Sequence, residues 1–318
     1  MAKEPLETVY KNLITDLQTA IDKMDDKTFK GAGGHATKGA AKGLKARLLM
    51  YHAYGEDGKV ANRDEVQEAY NLLNEINGYS LTDRYADNFT YDTQEGSNEI
   101  VFSIKYLAPN NYTDFDRIYG DYAAVRPVAN LTNDYEEGDN RLGQIVAFDD
   151  KYQWPGGEVV SLNRSDLKKA MVKWLTPLMK DGDMWQASTR SEQDWVFLRW
   201  GELLLLKAEA ANELGISGAA DMVNLVRQRA GLADLATSLN QDQLREAIRH
   251  ERRVETPFEL IRYYDMKRWK IMDRLNSVEL DPLLSGHVSA WSKAHEYFPL
   301  PQDQIDFSNG VLIQNPNY

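Results

Sequence analysis

Residues 195–231, WVFLRWGELLLLKAEAANELGISGAADMVNLVRQRAG, limit what this chain can fold into more than any other stretch. The first part is apolar on nearly every side through Leu206 and then turns amphipathic, with Ala208, Ala211 and Leu214 on one face. Gly215 and Gly218 bracket a short turn. A second run follows with Ala219, Met222, Val223, Val226 and Ala230 at helical spacing, and Gly231 is a natural stop. Two helices joined by so few residues pack antiparallel, and Ala208, Ala210 and Ala211 are small enough for close backbone approach. An antiparallel helical hairpin over 196–231 is therefore expected.

The same pattern occurs earlier. Residues 6–24 carry Leu6, Val9, Tyr10, Leu13, Leu17, Ile21 and Met24 on one stripe, which predicts an amphipathic helix. Residues 36–54 have a small edge (Ala36, Ala40, Gly43) and a bulky one (Leu44, Leu48, Tyr51), and 63–76 turn Val66, Ala69, Tyr70, Leu73 and Ile76 inward. Residues 36–76 thus form a second hairpin whose sequence lines up loosely with the first. Both have the shape of a tetratricopeptide hairpin, or of any αα-hairpin. They are far apart in the chain, so a repeat scaffold would be interrupted between them.

The interruption, 78–193, changes character. Residues 98–106 alternate as a strand, 144–148 suit a second short one, and 165–173 suit a short helix capped by Ser165. Elsewhere Gly, Asn, Asp and aromatics dominate. Extended aromatic loops on a rigid scaffold are where binding residues gather. A Trp or Tyr face stacks on a sugar ring while carboxylates and amides hold its hydroxyls. The candidates for such work are Trp154 and Trp185, then Tyr112, Tyr119 and Tyr122 with Asp114, Asp116 and Arg117. Each alone is equally at home in a core, because Trp and Tyr are largely buried on average.

Residues 241–269 are helical in period, but Pro257 lacks the amide hydrogen and crowds the carbonyl four residues back, so the helix should end or bend near Glu255. The dense charges there (Glu251, Arg252, Arg253, Glu255, Glu259, Arg262, Asp265, Arg268) read as i,i+3 and i,i+4 pairs pinning a helix to its neighbours rather than as a catalytic nest. The proline- and asparagine-rich C-terminus should lie extended over the helices.

Several functions are disfavoured. The net charge of −12 repels phosphate backbones, so nucleic acid is not an expected partner. No run approaches a membrane span. MAKEPLETVY is not a signal peptide, which fits either a cytosolic protein or one whose targeting segment lies outside these residues. Cysteine is absent, which removes disulfides and thiolate chemistry. Gly31, Gly33 and Gly34 precede Thr37 and Lys38 in the wrong order for a phosphate loop. The five histidines form no metal motif, GxSxG is missing, Asp149 and Asp150 are an ordinary coincidence in an acidic chain, and Asp181 with Asp183 lacks the full calcium-loop pattern. No enzyme, metal or cofactor is expected.

LRWGELLLLKAEAANELG with LVRQRAGL, IRHERRVETPFELIRYYDMKRW, FPLPQDQIDFSNGVLIQNPNY, ATKGAAKGLKARLLMY and the EEGDNRL turn, in their order along nearly the whole chain, resemble the SusD/RagB family of outer-membrane glycan-uptake lipoproteins. The resemblance implies one mainly α domain over 1–318. Tetratricopeptide-like hairpins (1–77 and 194–275) form its scaffold, an irregular loop-rich segment with a few short strands (78–193) interrupts it, and an extended segment (276–318) closes it. It implies non-catalytic binding of an oligosaccharide or other nutrient at the outer-membrane surface, delivery to a TonB-dependent transporter, and a membrane tie only through a lipid anchor. Signal and anchoring cysteine are not in these residues, so the chain resembles the C-terminal larger part of such a protein or a short relative. Pro257 and Leu260 stand where the family usually has a helix former and a glycine. A helical-repeat scaffold for protein partners, without a small ligand, is the alternative.

Overall fold

The computed structural model describes residues 3–26, 34–115, 118–119, 125–148, 151–153, 159–161, 169–175, 191–277 and 291–318. Its helices are α1 (Leu6–Lys23), α2 (Lys38–His52), α3 (Arg63–Asn74), α4 (Trp200–Leu214), α5 (Ala219–Arg229), α6 (Gln241–Glu255), α7 (Arg262–Arg268) and α8 (Gln302–Phe307), besides single turns. Two antiparallel sheets accompany them. One pairs β1 (Ile100–Ile104) with β6 (Trp195–Arg199). The other runs β4 (Val159–Ser161), β3 (Lys151–Gln153), β2 (Val146–Phe148), β5 (Lys169–Met171).

Both expected hairpins form. Thr37 caps α2 by accepting from the Ala40 amide, and Asn62 caps α3 through the Glu65 amide, each satisfying a donor that the first helical turn leaves open. Gly215 ends α4 at φ +71°, a left-handed cap that the missing Cβ makes inexpensive. Helices α2, α3 and α4 pack in sequence around Ala46, Leu49, Met50, Leu73, Leu203 and Leu206. A second layer of Leu204, Leu205, Ala208, Val223, Val226 and Ile248 joins α4 to α5 and α6. Each such side chain, taken out of water, contributes roughly 1.5–3 kcal/mol before chain entropy is counted. Helix α1 docks by its second half, through Ile14, Ile21 and Met24; Leu6, Val9 and Leu13 on the same stripe are exposed.

The structure corrects three expectations. Residues 195–199 are not the start of the hairpin helix. They form β6, with Val196 and Leu198 buried and Phe197 outward, because β1 offers an unpaired edge to them. Lys169–Met171 is a strand against β2, not part of a helix. The C-terminal stretch carries the helical turns of α8 instead of running wholly extended. Pro257 acts as expected: α6 stops at Glu255, and Phe258 and Leu260 both take positive φ (62° and 60°) before α7 begins.

The charges of 251–268 do pin helices to neighbours, but through long-range partners more than local ones. Arg199, fully buried, sends Nη1 to Glu99 (2.8 Å) and Glu255 (2.5 Å) and Nη2 to Glu259 (2.9 Å). Arg141 reaches Asp139 (2.6 Å), Glu251 (2.6 Å) and Glu255 (2.8 Å), while Arg229 closes on Glu99 (3.0 Å) and on Glu255. Among the pairs within 251–268, Arg268–Asp265 has the local i,i+3 spacing. Gly201 is the floor of this cluster. A Cβ there would stand 2.6 Å from Arg199 Nη1, 2.7 Å from Glu99 Oε1 and 2.8 Å from Glu255 Oε1.

Candidate functional site

The loop that leaves β1 is held from below before it reaches solvent. Lys105 Nζ bonds Glu95 (2.8 Å) and buried Asp194 (2.5 Å), and the other Asp194 oxygen accepts the Tyr106 amide at 3.2 Å. Leu107 and Asn111 then pair through both backbone groups around a cis Ala108–Pro109 bond. Glu192 anchors the turn: one carboxylate oxygen takes the Ala108 amide (2.7 Å), the other the Tyr91 hydroxyl (2.6 Å). That hydrogen bond, with burial second, pushes the Tyr91 phenol up to about 12. Thr113 and Ser191 exchange backbone bonds beyond it (2.9 and 3.2 Å).

Beneath lies an aromatic bed. Trp174 is fully buried and stacks on Trp195 at 4.9 Å; Phe115 leans on Trp195 (5.7 Å) and Phe89 meets Trp174 edge-on (5.1 Å). Lys173 threads the same region, with Nζ 4.0 Å from the Phe89 ring centre and bonded to Tyr85 Oη, Pro257 O and Glu259. Burial pulls its ammonium down to about 8, against the opposing pull of Glu259.

What emerges above is a polar-rimmed apolar surface. Tyr91 (36% exposed), Tyr112 (45%) and Leu107 (70%) face solvent beside Asn110, Asn111 and Asp114, which are also exposed. Chemically it offers flat apolar faces, amide donors and carboxylate acceptors in a pinned frame. It holds no acid–base pair: the buried carboxylates of the molecule's centre face arginines.

The sequence-derived candidates fare differently. Tyr112 and Asp114 lie on this surface. Tyr119 is half-buried against Phe115 at 5.7 Å, and burial raises its phenol. Trp154, Trp185, Tyr122, Asp116 and Arg117 lie outside the described residues. Tyr91 and Glu192 were not anticipated. Their only sequence signal is a polar, turn-rich setting, and the contact between them spans 101 residues. No group of three or more His, Asp or Glu among the described residues is placed to hold a metal, and no described helix is long and apolar enough to cross a membrane.

Fold and surface together define a mainly α protein in which tetratricopeptide-like hairpins carry an irregular, aromatic loop segment. Residues 66–318 match the model of the SusD family, and the chain belongs to that family. It is 26% identical, over its whole length, to SusD-like protein P2 of Formosa agariphila, and spans 66% of that relative's length. Among solved structures, a SusD superfamily protein from Parabacteroides distasonis superposes with a TM-score of 0.79 at 21% identity, covering 99% of this chain and 70% of the other. Surface glycan-binding protein A from Bacteroides thetaiotaomicron, in complex with laminarihexaose, gives 0.71 at 20% identity, covering 99% and 72%.

Proposed function

We propose that this chain binds an oligosaccharide, without chemical turnover, on the loop surface around Tyr112, at the outer face of the outer membrane, and passes it to a TonB-dependent transporter. The observation that carries the reading is the pair of exposed tyrosines, Tyr91 and Tyr112, set beside a turn that Glu192 and Asp194 hold in place. A sugar ring stacks on such a face, and Asn111, Asp114 and the rim amides take its hydroxyls. Trp154 and Trp185, with Tyr122, Asp116 and Arg117, extend the candidate surface on sequence grounds, and Tyr119 supports it from beneath. Membership of the SusD family and the glycan bound by one structural neighbour support the ligand class; the transporter and the location rest on the family resemblance.

Calorimetric titration against a panel of oligosaccharides tests the reading. Tyr112→Ala, Trp154→Ala and Trp185→Ala should each weaken binding by about 1–3 kcal/mol, the size of a lost stacking partner, with circular dichroism unchanged. Undiminished binding in all three variants would take these residues out of the site. Absence of any glycan binding together with capture of the chain by a transporter would favour the pure protein scaffold.

A further inference from the structure

A cavity of about 330 Å³ opens between α7, the helical turn Met272–Ser277 and the segment that follows residue 290. Its walls include the rings of Tyr263 and Trp291 and the side chain of Met272. The segment is tied down rather than draped. Tyr263 Oη donates to the Glu296 carbonyl (3.3 Å), Lys267 Nζ donates to the same carbonyl (2.7 Å), and Asn276 Nδ2 donates to the Trp291 carbonyl (3.2 Å).

The charges around the cavity do not close on themselves. Lys270 is matched, with Glu56 at 3.1 Å and Glu296 at 3.4 Å. Lys267 and Lys293 also line the cavity, and neither has a carboxylate within 4 Å among the described residues. Lys267 instead lies 4.5 Å from the Tyr297 ring centre. The Trp291 Nε1–H is buried and makes no hydrogen bond. An unmet buried donor is costly, and a small rotation toward an acceptor inside the cavity would remove that cost. Two ammonium groups and one indole donor thus converge on a space with flat apolar walls. What is missing is an anion.

We propose that this cavity is a second ligand site, taking a single six-membered ring that bears a carboxylate. The ring lies against Trp291 and Tyr263, and the carboxylate sits between Lys267 and Lys293 in charge-assisted hydrogen bonds. The volume is at the low end for a ligand pocket, which suits one ring and not a chain of them. A neutral sugar leaves both ammonium groups unmatched and is discriminated against. The site uses none of the residues of the Tyr112 surface, so either assignment stands or falls alone.

The test is a titration of the whole chain with sodium glucuronate, sodium benzoate and methyl glucoside, followed by tryptophan emission. The chain has seven tryptophans, so Trp291→Phe assigns the signal. A saturable change with an acid, absent in Trp291→Phe, is expected. Lys267→Gln and Lys293→Gln should each weaken it about tenfold, the loss of one charge-assisted bond. Lys293 is an exposed side chain, so that variant keeps its fold and reads the site even if Lys267→Gln does not. Preference for glucuronate over benzoate assigns the site to sugar acids, and the reverse order to aromatic acids. Equal binding of methyl glucoside, unchanged affinity in the lysine variants, or no saturation with either acid overturns the proposal.

Discussion

Arg268 and Glu209 meet fork to fork across 59 residues of chain: Nη1 lies 2.6 Å from Oε1 and Nη2 2.7 Å from Oε2, with both side chains buried. The Trp269 indole and the Tyr54 hydroxyl bond the same carboxylate at 2.9 and 2.6 Å. This fork joins α7 to α4. Removing one partner leaves the other as an unmatched buried charge, which typically destabilises by about 3–5 kcal/mol. Arg268→Met is therefore expected to lower the stability read from urea unfolding by that amount. A loss under about 1 kcal/mol would show that water or a neighbour replaces the arginine.

Acid should expose the same carboxylate. Burial raises Glu209, but Arg268 outweighs it and holds the group down at about 2, against an ordinary value of 4.5. Between pH 4.5 and 2 the unfolded chain takes up a proton that the native chain refuses. The contribution is fully present above pH 4.5 and lost as pH falls to about 2, roughly 3 kcal/mol at 1.36 per unit. Glu99, Glu202 and Glu255 are held low in the same sense. Glu251 and Asp194, raised by burial, act oppositely. Unfolding free energy should fall steeply between pH 5 and 3, and less steeply in Glu209→Gln. A flat profile in the parent chain would contradict the pairing.

Gly201→Ala tests the packing of the central cluster. Alanine suits a helix better than glycine by about 1 kcal/mol. Here the added methyl would press on Arg199, Glu99 and Glu255, so the substitution should destabilise by about 1–3 kcal/mol despite the propensity gain. Thermal unfolding decides the sign.

Leu260→Gly should do the reverse. Leu260 holds φ +60° and is 72% exposed, so it carries left-handed strain and little packing. Glycine relieves strain of order 1 kcal/mol or more, less some entropy gained by the unfolded chain. A raised Tm is expected; a lowered one would mean that Leu260 packs in solution.

Helix and hairpin positions were legible because period and turn chemistry are local. Leu203 to Leu206 and Gly215 announce α4 without help from elsewhere. Trp195–Arg199 misled because an apolar run has no period of its own: whether it coils or extends depends on β1, ninety residues earlier. The ion pairs were half legible. Density of charge in 251–268 showed a network, but partners such as Glu99 and Arg141 lie more than a hundred residues from theirs, beyond any spacing rule. For the candidate surface, composition found Tyr112 and Asp114. Tyr91 and Glu192 escaped because their role is defined only by each other.

The central cluster also shapes how such a chain can change over generations. Glu99 and Arg141 come from the loop-bearing part, Arg199, Arg229 and Glu255 from the hairpins, and each arginine there answers to at least two acids. A single substitution at any of these positions strands a charge, so compensating changes would have to arrive together. The turn around Tyr112 carries no such debt. Its exposed residues can be exchanged one at a time, which leaves the mount constant and frees the binding face to follow whatever ligand the surroundings supply.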